Sequence, residues 1–170
     1  MGNREEWPRF ELEAKLRALM SEGATPELAA TIGDLLAHTG DARGAEAMYT
    51  QAEALEREGW KMEEPQPAAL ARMLAERGRK ITDAVVLAEQ AARGRSDIFT
   101  MDTLAWAYFQ AGRLEDAREA SVQALRTGTA DRRIRCHAAA IDRAAAGRGS
   151  RGVDFAECRF EQWVTERKAE

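Results

Sequence analysis

Cysteine is nearly absent from this 170-residue chain. Cys136 and Cys158 are all it has, too few for the disulfide framework that staples small loop-rich secreted domains. Both are expected as free thiols, which suits a reducing compartment. Histidine is as rare, with His38 and His137 alone, and neither belongs to a metal-ligand cluster or a full catalytic constellation. The four prolines fall at boundaries, Pro8 and Pro26 at helix starts and Pro65 and Pro67 in one long connection, so none interrupts a helix interior. β-Branched residues are sparse and never alternate over strand length, which argues against a sheet. No apolar run approaches the roughly 20 residues needed to cross a bilayer, and the amino terminus lacks a basic-then-apolar signal segment. What these absences leave is an all-α chain, expected in the cytoplasm, off the membrane, without metal or cofactor and not an enzyme.

What is present in quantity is alanine, leucine, glutamate and arginine, on a chain long enough to bury about 70 % of its unfolded surface. The formal charge is −4, but it is uneven. From Arg126 to Arg151 seven arginines face only Asp131 and Asp142, a local net of +5. A basic patch beside an acidic array attracts acidic partners. Nucleic-acid binders, however, are basic over a whole domain and interleave aromatics for stacking, so this stretch reads as solvated helix surface.

The strongest positive signal is a repeat. Leu104, Ala105, Tyr108, Gly112, Leu114, Ala117 and Ala124 recur 34 residues upstream as Leu70, Ala71, Leu74 and Gly78, then 33 upstream as Ala84 and Ala91. One residue has therefore been added in the turn after Gly78. An earlier copy, Ile32, Gly33, Leu36, Gly40, Ala42, Ala45, Tyr49 and Ala52, is displaced by extra length in the 59–67 segment. A degraded copy follows at Ala139, Ala140 and Gly147. Met101, Leu104, Ala105 and Tyr108 form an apolar stripe at i, i+3, i+4 and i+7. Gly112 supplies the left-handed residue that ends a helix, and small Ala117 and Ala124 two turns apart let a partner helix approach closely. Thr25 before Pro26 reads as an N-cap.

Leu104, Ala105, Tyr108, Gly112, Ala117 and Ala124 resemble the signature of the tetratricopeptide repeat, a helix-turn-helix unit. The resemblance covers about two thirds of the chain. It implies a right-handed α-α superhelix with repeats at 25–59, 64–97 and 98–131, a degraded one at 132–147, a capping helix within 1–24, and a linker and second cap within 148–170. Within those caps, Leu12, Leu16, Leu19 and Met20 make one apolar face. Val153, Ala156, Phe160, Trp163 and Val164 make the other, which shields the last repeat or lets Phe160 and Trp163 dock a second copy.

By the 100° step of the helix, Phe99, Asp102, Trp106, Phe109 and Gln110 fall opposite Leu104 and Tyr108. Two readings stand for these aromatics: packing against neighbouring first helices, or anchoring a bound partner, a role in which Trp is common. The resemblance implies the second, a concave groove that grips a segment of another protein. Carried over by position, it adds Asp34 and His38 from the first repeat, Arg72 and Glu76 from the second and His137 from the degraded one. Ala30, Asp34, Ala68, Phe99 and Thr103 stand where relatives that clamp an acidic terminus carry basic or amide side chains, so a carboxylate clamp is not expected. The function implied is an adaptor or scaffold. Self-assembly through the terminal helices, or chaperoning of a secreted partner, is the alternative.

Other features read blandly. Cys136 takes the position of Met101 and is expected as a buried structural thiol; its neighbour His137 points about 100° away. Asp34 and His38, four apart, are two ligands and not a metal site. The glycine- and arginine-rich 147–152 loop lacks the lysine and hydroxyl of a phosphate-binding loop.

Overall fold

The computed structural model describes residues 9–61 and 65–147. Among them are eight α-helices and no strand: α1 Arg9–Glu22, α2 Pro26–His38, α3 Ala42–Gly59, α4 Pro67–Glu76, α5 Ile81–Gly94, α6 Ile98–Gln110, α7 Leu114–Leu125 and α8 Arg132–Ala145. The chain divides into a first unit, Met1–Pro65, holding α1 to α3, and a second, Gln66–Glu170, holding α4 to α8. No helix of the described residues is long and apolar enough to cross a membrane.

Local chemistry explains where these helices begin. Thr25 accepts a hydrogen bond from the Leu28 amide at 3.1 Å, with Pro26 in the first turn. Asp41, Asp97 and Asp131 cap α3, α6 and α8 in the same way, each satisfying a donor the helix cannot. The ends are equally regular. Gly40, Gly78 and Gly112 all take positive φ, 86°, 63° and 74°. The next residue then donates its amide back five residues, Asp41 to Leu36, Arg79 to Leu74 and Arg113 to Tyr108, each at 2.9 Å. This is one helix-ending motif used three times. The extra residue expected after Gly78 is visible as well: Lys80 is the one non-glycine residue with positive φ among those described, at 42°.

Asp97 shows how strongly such a cap is built. Its carboxylate accepts from the Phe99 and Thr100 amides at 3.1 and 3.0 Å, from the Thr100 hydroxyl at 3.0 Å and from Arg95 Nε at 3.1 Å. Burial pushes the carboxyl upward, but the Thr100 bonds, the Arg95 charge and the Phe99 amide together hold it below its ordinary value. A carboxyl lowered on folding stabilises above its unfolded value, about 3.9. That contribution is lost as pH falls through the folded value. Asp97→Ala should therefore cost about 1 kcal/mol at neutral pH. Thermal melts should show the gap from the parent chain closing as the pH falls below the ordinary carboxylate range.

In the first unit α2 packs on α3, and α1 touches α2. Ile32, Leu36 and Ala45 form the core, with Met20, Leu28, Met48 and Tyr49 packed against it. Tyr49 stands where the other pairs carry Ala88 and Ser121, counting from Ala45, Ala84 and Ala117. The larger ring is accommodated across the interface. Gly33 replaces the Ala71 and Ala105 of the other pairs, and a Cβ there would collide with the Tyr49 ring. The Tyr49 hydroxyl then donates to Asp34 Oδ1 at 2.9 Å. Gly33→Ala should overpack this contact and cost about 1–3 kcal/mol. Tyr49→Ala placed behind it should recover part of that loss in a denaturant titration, because the two positions share one space.

In the second unit α4 packs on α5 and α6 on α7, while α5 also meets α6 and α7 meets α8. Ala84, Ala117 and Ala124 are buried at these crossings at 1 % exposure or less. The first helix of each pair also touches the next, α4 against α6 and α6 against α8. Helix α6 is thus covered on several sides, and seven of its residues are buried.

Cys136 departs from the sequence reading. It is half-buried rather than buried, and it is disulfide-bonded. Like Met101 at the matching position, it is half-buried, at the edge of the packed face. No free cysteine exists among the described residues, so the reducing-compartment reading loses its basis.

Candidate functional site

In the second unit α4, α6 and α8, which pack side by side, bring together most of the side chains singled out by helical spacing. Four of them lie deeper than a groove lining would. Trp106, Asp102 and His137 are each 2 % exposed and Glu76 is 6 % exposed. Trp106, the leading anchor candidate, does not present its ring to solvent. The imidazole of His137 stacks on it with ring centroids 4.0 Å apart and planes 12° from parallel, and Phe109 stacks at 5.0 Å and 29°. Of the two readings open for Trp106, the structure has the packing one, because α8 supplies a flat partner for the indole.

Asp102 fixes that partner. Nδ1 of His137 lies 3.0 Å from Oδ1 and 3.1 Å from Oδ2 of the carboxylate. A carboxylate offers only acceptors, so Nδ1 must carry the proton that joins them. The bond locks the ring orientation that the stack requires. Arg133, one turn before His137, adds charge compensation with Nε 3.5 Å from Asp102 Oδ2. That distance makes an ion pair rather than a good hydrogen bond. Arg133 is not among the residues expected from helical spacing. The signal for it is Asp102 itself, the one charged side chain of its helix, which can be buried only with a counter-charge.

The remaining candidates frame this cluster. Phe99 is 51 % exposed at the start of α6, and Phe109 and Gln110 are half-buried at its end. On α4 the Arg72 side chain is 37 % exposed and its Nη1 lies 3.9 Å from Glu76 Oε1, while Arg77 approaches the other oxygen at 3.8 Å. Glu76 is a carboxylate kept inside by two guanidinium groups at long range. Asp34 and His38 belong to the first unit, Asp34 half-buried as the acceptor of Tyr49 and His38 exposed at the end of α2. Phe160 and Trp163 lie outside the described residues.

A histidine oriented by a carboxylate is also the base half of a nucleophilic triad. Here, among the described residues, His137 hydrogen-bonds to Asp102 alone, and its ring face is occupied by Trp106. The pair holds α6 to α8. No group of three His, Cys, Asp or Glu side chains among the described residues is placed to hold a metal ion. Comparison with protein-family models, with curated proteins and with solved structures finds no match to this chain.

Proposed function

We propose that the chain is a tetratricopeptide-like adaptor that recognises a segment of another protein along the α4, α6 and α8 layer. The observation that carries the reading is the contrast between Phe99, half in solvent, and the buried stack beneath the same helix face. An exposed aromatic on a stiff support loses little freedom on binding, so most of its contact energy is retained as affinity. The stacked Trp106 and His137 supply the stiffness, and Phe99, Phe109 and Arg72 are the groups left to touch a partner. The anchoring role thus passes from Trp106 to Phe99. The recurring left-handed turns and the buried alanine positions support kinship with repeat proteins, and an adaptor role is the common use of that architecture.

Phe99→Ala tests this. Its ring is half exposed, so the thermal melt should stay within a degree or two of the parent. Affinity for a partner isolated on the native chain should fall by about 2 kcal/mol, roughly thirtyfold. Equal retention of every partner by both chains would remove the reading.

A further inference from the structure

A second surface, independent of the α4, α6 and α8 layer, lies where α6 runs beside α7. A hollow of about 540 Å³ opens there, within the range of small recognition pockets, with Met101, Leu104, Tyr108 and Ala120 among its lining. Its lining differs from the matching positions of the preceding pair, and the position that matters most for its depth is Ala120. The 33-residue offset that relates Ala84 to Ala117 places Leu87 of α5 where α7 has Ala120. The α4 and α5 pair carries a branched side chain at this position and the α6 and α7 pair only a methyl group.

The charged residues that line the hollow have one sign. Asp116 and Glu119, one turn apart on α7, line it, and no lysine or arginine does among the described residues. Arg113 neutralises only part of this. Its Nε sits 2.7 Å from Asp116 and its Nη1 3.1 Å from Glu89, and the guanidinium lies over the Tyr108 ring at 4.1 Å. One cation therefore serves two carboxylates, Glu119 stays exposed beside them, and the Tyr108 hydroxyl is already donated to Glu89 at 3.0 Å. Burial, then the Glu89 bond and charge, push the Tyr108 hydroxyl above its ordinary value, so it stays protonated. Val122, 65 % exposed, extends the apolar surface at the rim.

We propose that this hollow docks an amphipathic helical segment of a partner protein, a leucine or methionine entering above Ala120 and a lysine or arginine one turn away meeting Glu119 and Asp116. The apolar floor supplies affinity and the carboxylate rim selects the sign of the partner. An acidic amphipathic helix meets the same floor with repulsion.

The probe is a synthetic lysine–leucine amphipathic peptide of about four helical turns, roughly 14 residues, titrated against the full chain beside a glutamate–leucine counterpart. Amide shifts by NMR are expected at Met101, Ala120 and Gln123 with the lysine peptide and not with the glutamate peptide. Ala120→Leu fills the hollow with the residue that α5 carries at the matching position; because Ala120 is itself buried, circular dichroism is run beside the titration to check that the fold holds. Ala120→Leu should weaken the lysine peptide about tenfold, and Glu119→Lys should do the same, while Asp142→Lys, at an exposed position of α8, should not. Shifts spread over all acidic faces, equal binding of both peptides, or undiminished binding to Ala120→Leu would each overturn the assignment. An Ala120→Leu chain that fails to fold leaves Glu119→Lys against Asp142→Lys to decide it.

Discussion

Trp106→Ala should lower the unfolding free energy by about 3–5 kcal/mol, as expected for removing a fully buried aromatic side chain. The indole is 2 % exposed and is stacked on by both His137 and Phe109, so its loss opens a void bordered by rings fixed to two helices. Partial collapse is hard there, which favours the upper part of that range. Guanidinium titration followed by circular dichroism measures it. Trp106→Phe should retain a stacked ring and recover more than half of the loss. A thermal melt of Trp106→Ala matching the parent would show that the indole is not packed as described.

Asp102→Ala should be comparably severe, about 3–5 kcal/mol, because it removes one member of a buried ionic cluster and leaves the others uncompensated. The abandoned groups are His137 Nδ1, 3.0 Å away, and Arg133 Nε, 3.5 Å away. Asp102→Asn keeps an acceptor for the imidazole and should cost less, about 1–2 kcal/mol. The cycle through Asp102→Ala, His137→Ala and the double variant should return a coupling of about 1–3 kcal/mol. Because the cluster joins α6 to α8, amide exchange should show protection lost first in α8. Simple additivity of the two single variants would mean that the bond contributes nothing.

The parts of this fold that are legible in the sequence are those set by neighbours along the chain. Thr25 and Pro26, the aspartates before α3, α6 and α8, and the glycines at 40, 78 and 112 each specify a local backbone conformation. Residue type alone suffices for that. Even the insertion after Gly78 can be counted from offsets, and it appears as Lys80. The burial of Trp106, Asp102 and His137 is a different matter, since it depends on helices whose bonded residues, Asp102 and His137, are 35 positions apart in the chain. Dividing α6 into two faces places these residues towards solvent. Yet Ile98–Gln110 is apolar almost all the way round, the pattern of a helix enclosed on every side, and that is the available signal. The Asp102 and Arg133 pairing has none beyond the need of a buried carboxylate for a cation. Cys136 matches Met101 in the repeat, but a match in position does not say whether that position is core or edge, and here it is edge.

The exchange of bulk between Gly33 and Tyr49 has a consequence for engineering. The helix pairs look like identical bricks in an alignment but are cut to different shapes. A chimera that swaps α3 for α5 would set Ala88 over Gly33 and leave a gap where a ring belongs; the reverse graft would drive Tyr49 into Ala71. Lengthening or shuffling this array thus requires moving matched pairs whole, so the unit of inheritance is the interlocked couple and not the single helix.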